Sequence, residues 1–195
     1  MSLKFASEAG EHMDYYLDIQ IKPDAEMREN VLLNKVYTKF HKALFDMNAT
    51  DIGISFPNYK VTLGHTLRLH ATEDRLAEIQ NLNWVGGLSG YCQITAIQMI
   101  PALVTYRTVS RIQSTMSKAK LKRLIKRSTI AEDEIKAYKV KMFQKGLDNP
   151  YLELESTSNN HKHRRYIAFG ELKDIATDGH FDAFGLSKIA TIPWF

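Results

Sequence analysis

Apolar residues along the chain change their spacing several times, and each change marks an element. Tyr15 to Ile21 (YYLDIQI) alternates as a strand does. Pro23 and Asp24 end it and open a long helical pattern to about Met47, in which Leu32, Leu33, Val36, Phe40, Leu44 and Met47 recur at helical spacing. Ile52 to Phe56 is a short apolar strand stopped by Pro57, and TLRLH (66–70) alternates like a half-buried strand. Thr72 caps a short helix through Gln80; Gly86, Gly87 and Gly90 mark a loop; Tyr91 to Ile100 is a further strand ended by Pro101. The predicted order β-α-β-β-α-β is that of a ferredoxin-like domain over 13–100, an order that RNA-recognition domains share. It hosts many unrelated functions, so the fold class, α+β, says little about chemistry.

Pro101 opens a second region, 101–195, of α/β character. Its first helix follows Ser117, a good N-cap, and places Leu121, Leu124 and Ile125 on one narrow face. Thr129 and Glu132 (TIAE) form a capping box for a second helix to about Lys145, which gives a helix-turn-helix pair. From Tyr151 strands and loops return as YLELES, RRYIAFG and the terminal TIPWF. The first twelve residues, MSLKFASEAGEH, read as a leader outside the fold, since strand-like sequence begins directly after Met13.

Charge sharpens the picture. The chain of 195 residues has 26 Lys and Arg against 22 Asp and Glu, a mild net +4. The segregation is not mild. Tyr106 to Arg127 (YRTVSRIQSTMSKAKLKRLIKR) holds eight basic residues, and no Asp or Glu occurs between Ile79 and Ala131. A solvated helix face usually mixes signs, whereas a one-sign strip with interleaved Ser, Gln and Tyr suits phosphates. A membrane-surface helix would carry Trp or Phe on its apolar face, and this one does not. No apolar run is long enough to span a bilayer. The single cysteine, Cys92, rules out an internal disulfide and a cysteine-based zinc cluster, and fits a cytoplasmic protein.

Catalytic candidates are few. Seven histidines occur without an HExxH pattern, the acidic residues are not grouped as in a two-metal nuclease, and GLSK (185–188) lacks the glycine-rich lead of a phosphate-binding loop. We therefore expect no metal and no cofactor. His41 falls at the edge of the first helix's buried stripe, where a lone histidine is ordinarily a boundary residue. Ser156 and Ser158 stand in a loop beside basic and His-rich residues (STSNNHKHRR). An imidazole, which changes charge near neutral pH, and a hydroxyl held near an RNA phosphate suffice for transesterification, because RNA carries its own 2′-OH nucleophile. A non-catalytic RNA-hairpin binder and a DNA-binding helix-turn-helix regulator share the basic helix with this reading.

The blocks MDYYLDIQIKPD, IGISFPNY, TYRTVSRIQ with its basic helix, and FGLSKIATIPWF occur in an order that resembles the subtype I-F CRISPR repeat-processing endoribonuclease, the Csy-type subunit of Cascade. The resemblance runs from Met13 to Phe195. It implies an enzyme that cuts the repeat transcript at the 3′ base of a hairpin without metal, leaves a 2′,3′-cyclic phosphate and a 5′-OH, and stays on the hairpin within type I-F Cascade. It also implies a chain that is monomeric when free, with an RNA-hairpin-binding domain over 101–195. Position by position, it makes His41 the catalytic histidine, Ser156 the serine that holds the attacking ribose, and Ser158 the second serine of that loop. Arg111 and Gln113 would read purines from the linker ahead of the basic helix, Arg to guanine and Gln to adenine. Arg123, Lys126 and Arg127 align with the family's helix arginines if one residue is deleted before the helix; Lys118 and Lys122 would add to the grip on the backbone. An A-form major groove is normally too narrow for a helix, but a short stem with an open end relaxes that limit. Two positions depart from the family pattern. Phe184 stands where the family has an orienting tyrosine, and His163 where it has a stacking phenylalanine, so one hydroxyl is lost and one stack is weakened.

Overall fold

The computed structural model describes residues 13–113, 116, 118–144, 147–155 and 162–195. It is a mixed α+β fold built on antiparallel sheets. Strand β1 (Tyr15–Ile21) is central: it pairs antiparallel with β3 (Thr66–Ala71) on one side and with β4 (Cys92–Ile94) and β5 (Gln98–Met99) on the other. Strand β2 (Gly53–Ser55) pairs with the outer side of β3, so the order is β2-β3-β1-β4, with β5 also on β1. The run Tyr91–Ile100, expected as one strand, is broken. The pairing moves by one residue between Ile19↔Ile94 and Tyr16↔Gln98. At the break the Thr95 hydroxyl accepts from Asp18 N (3.0 Å), so a side chain takes over part of the ladder. Its first residue is drawn off as well: Tyr91 ends a short 3₁₀ turn, Gly86–Tyr91, where the glycines predict a plain loop.

Helix α1 (Glu29–Asp46) buries Leu32, Leu33, Val36, Tyr37, Phe40, Ala43 and Leu44. It begins five residues later than Asp24 suggests, because Asp24 Oδ1 instead accepts from the backbone of Glu26 and Met27 and closes a separate turn. Helix α2 (Glu73–Asn81) starts at the expected cap, with Thr72 Oγ1 accepting from Arg75 N.

Past Pro101, β6 (Thr105–Arg107) pairs with the C-terminal β10 (Ile192–Trp194), and β7 (Val109–Ile112), β9 (Lys162–Phe169) and β8 (Tyr151–Glu155) form a three-stranded sheet in the order β7-β9-β8. Arg111 therefore lies on a strand and not in a linker. Helices α3 (Lys118–Lys126) and α4 (Glu132–Gln144) stand between β7 and β8 in the chain. Their junction is capped two residues later than the TIAE pattern implies. Ala131 N donates to Glu134 Oε2, while Thr129 Oγ1 donates back to Leu124 O and Ser128 adopts a left-handed turn. Ser117 lies outside the described residues. One buried apolar cluster runs from Leu17 through α1 to Val109, Ile167 and Ile192, so both halves of the chain share a core.

Strand β3 is buried on both faces, not one. Arg68 forms a two-armed pair with Asp18 (2.6 and 2.9 Å) and packs on the rings of Tyr16 and Phe195, which meet edge to face beside it. Next to it His70 is fully buried; one ring nitrogen, Nε2, meets Ser55 Oγ at 2.8 Å and Nδ1 has no hydrogen-bond partner. Burial, reinforced by the Arg68 charge, lowers the His70 pKa from 6.5 to about 3. The unfolded chain therefore binds a proton here that the folded chain refuses. This contribution to stability is intact above pH 6.5 and is lost as pH falls from 6.5 towards 3. At pH 5 the expected loss is about 2 kcal/mol. Urea melts at pH 7.5 and pH 5 check it: the midpoint should fall with pH in the parent chain and fall less in His70→Gln, and parallel falls would acquit His70.

Candidate active site

The site is assembled around the loop 182–187. Asp182 organises it: Oδ1 accepts from Phe184 N (2.9 Å) and Leu186 N (3.0 Å), and its carbonyl accepts from Gly185 N (2.8 Å). Gly185 has φ +70°, a conformation that side chains resist. The loop is then tied outward: Gly185 O accepts from Ile54 N on β2 (3.1 Å), and Ser187 N donates to Val109 O on β7 (2.9 Å).

Helix α1 holds the same loop from above. Tyr37 and His41, one turn apart, share a face. Tyr37 OH donates to Phe184 O (3.0 Å), and His41 Nδ1 lies 2.6 Å from Ala183 O. A carbonyl can only accept, so Nδ1 carries the proton, and in the neutral ring Nε2 is then the free lone pair. Burial drives the Tyr37 phenol far above its ordinary value, so it remains a hydroxyl and cannot serve as an acid or base. His41 is half-buried, as its place on the helix edge implies.

The imidazole stacks on the Phe184 ring, with centroids 3.5 Å apart and planes 13° from parallel. Phe184 thus packs the histidine through ring contact, as a phenyl ring in that position should. The guanidinium of Arg165, from β9, lies 3.4 Å from the same ring centroid. Two groups this close to one centroid cannot share a face, so Phe184 is sandwiched between His41 and Arg165. Arg165 is 5% exposed, and its Nε has no hydrogen-bond partner. Burial is the main influence lowering its pKa; Tyr37 and Asp182 oppose this, and Arg111 adds to it.

Pairing across β7, β9 and β8 puts Arg111 opposite Ile167, Leu152 opposite Arg165 and Leu154 opposite His163. Paired residues and alternate residues share a face, so Arg111, His163 and Arg165 all project from the side of the sheet that carries the buried Leu152 and Ile167. Arg111 and Gln113 are brought together: with its amide oxygen turned inward, Gln113 accepts from the Arg111 guanidinium. On α3, Lys118, Lys122, Arg123 and Lys126 are exposed, as is Arg127 just beyond it. Leu121 is buried, Leu124 is partly covered and Ile125 is 46% exposed, so the apolar face is narrower than its three residues suggest. Ser156 and Ser158 lie outside the described residues; Glu155 and Lys162, paired across β8 and β9, border their segment.

Sequence reasoning missed Tyr37, Arg165 and Asp182. A signal for Arg165 existed: in an alternating strand, a charge at an inward position (between His163 and Ile167) is a misfit that calls for a purpose. A cleft of about 690 Å³ lies elsewhere, lined by Asp14, Asp51 and Asp178 among others. Its acidic lining is wrong for a polyanion, and it includes none of the residues just described. Among the described residues, no helix is long and apolar enough to cross a membrane.

By fold this is a mixed α+β protein of antiparallel sheets, and by site one whose histidine is locked against an aromatic plate beside a run of cations. The sequence model of the CRISPR-associated protein family (Cas_Csy4) matches residues 16–195. The chain belongs to that family. It is 33% identical over 184 residues to the CRISPR-associated endonuclease Cas6/Csy4 of Escherichia coli (strain UTI89 / UPEC), and 34% identical over 187 residues to that of Pseudomonas aeruginosa (strain UCBPP-PA14). Each comparison covers 94% of this chain and 100% of the relative. A solved CRISPR-associated protein from Thermus thermophilus is similar at a TM-score of 0.35 and 12% identity, over 92% of this chain and all of the other.

Gly185 gives a direct handle on the site. A Cβ there would lie 2.8 Å from Ile54 Cγ2 and 3.2 Å from Phe40 Cε1, on a backbone already at φ +70°. Gly185→Ala is expected to cost about 1–3 kcal/mol. It should also move the His41 ring protons, shielded by Phe184, towards their free positions in NMR spectra. Unchanged shifts would show that the loop does not set the stack.

Proposed function

We propose that the chain is a CRISPR RNA-maturation endoribonuclease that cuts the repeat transcript at the base of a hairpin by metal-independent transesterification. The observation that carries this is the fixed tautomer of His41: with Nδ1–H given to Ala183 O, Nε2 is the atom left to exchange a proton with RNA. The 2′-OH gives up its proton, O2′ bonds to phosphorus, and the P–O5′ bond breaks. The leaving oxygen takes a proton, which gives a 2′,3′-cyclic phosphate and a 5′-OH. Nε2 suits either transfer. Ser156 would hold the attacking ribose, with Ser158 beside it, and His163 would meet the terminal base pair or the cleavage phosphate.

Binding would be divided. Residues 13–100 form a ferredoxin-like domain in this reading, supported by the order β2-β3-β1-β4 around β1. Residues 101–195 bind the hairpin, with α3 and α4 as a helix-turn-helix pair. Arg111 and Gln113 read bases after leaving one another, and Lys118, Lys122, Arg123, Lys126 and Arg127 hold phosphates. The first turn of α3 carries no acidic residue and begins at the exposed Lys118, which supports an external anion as the partner of this helix. After cleavage the product hairpin stays bound and enters type I-F Cascade. The relatives named as CRISPR-associated endonucleases over their whole length support the same activity.

Incubating the cognate repeat RNA with protein and excess EDTA tests the chemistry. Cleavage is expected, and His41→Ala should abolish it while hairpin binding persists. An inert parent that still binds the hairpin would make it a non-catalytic scaffold. Arg111→Ala should weaken binding by about 1–3 kcal/mol and relax discrimination at one base pair. Lys122→Ala should mainly flatten the dependence of binding on salt.

A further inference from the structure

We propose that Arg165 is a positioning residue for the reaction: its buried guanidinium backs the Phe184 ring and so fixes the plane in which His41 meets the substrate. The proposal rests on the endoribonuclease reading for its kinetic part, but not for its spectroscopic part.

A cation almost wholly withdrawn from water, with an N–H left unpartnered, lowers stability unless something offsets it. Packing alone would favour an aliphatic residue at this position, which faces Leu152 across the strand pair and is followed by the inward Ile167. What the guanidinium does make is a face contact with Phe184 at 3.4 Å, with Asp182 near enough to favour its charge. The same ring bears His41 on its other face at 3.5 Å.

The two restraints on His41 are complementary. The Nδ1–H to Ala183 O bond fixes rotation of the imidazole within its plane. It does little against tilting. Tilting is opposed by the Phe184 plate, and a plate resists only if it is held from behind. Phe184 has no hydroxyl to anchor its far edge; Tyr37 fixes its backbone carbonyl and meets its ring only at an offset, with centroids 6.3 Å apart against 3.4 Å for Arg165. Arg165 is the group on the back face. A flat guanidinium stacked on the ring does what an aliphatic chain of similar volume cannot, because its attraction to the π face has a preferred parallel geometry. Nε is itself closed to solvent, so this nitrogen holds no RNA phosphate directly.

Arg165→Leu and Arg165→Lys separate this role from a structural one and from RNA contact. Both variants should melt at or near the parent temperature, Leu at the same or a higher one, since a desolvated cation is removed. In the RNA-free proteins, the His41 ring protons, shielded by the Phe184 ring in the parent, should move towards their free positions in the NMR spectra of both variants. Single-turnover cleavage should slow about 10- to 100-fold, with hairpin affinity within about twofold of the parent. Lys keeps the charge but not the plane, so it should not rescue. A parent that does not cleave overturns the endoribonuclease reading and leaves the spectra to judge Arg165. Unchanged His41 ring-proton shifts in both variants overturn the positioning role. So does a fall in affinity equal to the fall in rate, which would make Arg165 an RNA ligand.

Discussion

Two side chains one turn apart on α1 bond to consecutive carbonyls of a single loop, and the site depends on that clamp. Tyr37 bonds to Phe184 O and His41 to Ala183 O. The loop can present both carbonyls to one helix face because Asp182 and the left-handed Gly185 fold it back on itself. It is bonded in turn to β2 through Ile54 and to β7 through Ser187. Three elements from both halves of the chain thus meet at six residues. Remove the clamp and His41 is a boundary histidine on an amphipathic helix. With it, the imidazole has one tautomer and one plane.

What could be read from the sequence followed from local physics. The apolar period of α1, the Thr72 cap, the edge position of His41 and the one-sign charge of α3 each depend on residues close in the chain. Departures arose where a distant partner overrode a local rule. TLRLH has the alternation of a half-exposed strand, yet Phe195 and Tyr16 pack on Arg68, so its polar face is covered by residues far away in the chain. Tyr91–Ile100 has strand composition throughout, but Thr95 takes a ladder partner with its side chain and the strand breaks. Arg111 stood in what composition marks as a linker because a short strand is recognised by its partner, here β9, more than by itself.

The candidate site shows the same division. His41 and Phe184 are legible as residues; their contact is not, since 142 positions separate His41 from the carbonyl it meets. Arg165 illustrates the limit best. Its charge at an inward strand position is visible in RRYIAFG, but only the stack on Phe184 says what the charge faces. Ser156 and Ser158 remain assignments by resemblance, bordered by a strand pair whose ends the structure does describe.

The basic helix and the histidine site obey opposite physical demands. Helix α3 places Lys118 and Lys120 in its first turn, where the helix dipole disfavours cations, and Leu121 is the one of its Leu and Ile residues that is buried. Such a helix contributes little to the fold that carries it, and an anionic partner would supply what its own sequence withholds. The His41 site, by contrast, is built on the shared core and over-determined by hydrogen bond, stack and the tied-down loop 182–187. A surface that adapts to a polyanion and a reacting group that must not move are best kept on separate elements. In this chain β7 joins them: Val109 anchors the loop 182–187, Arg111 faces the site two residues on, and α3 follows. On the proposed function, where a hairpin lay on α3 would then limit, through one short strand, where its base could meet His41.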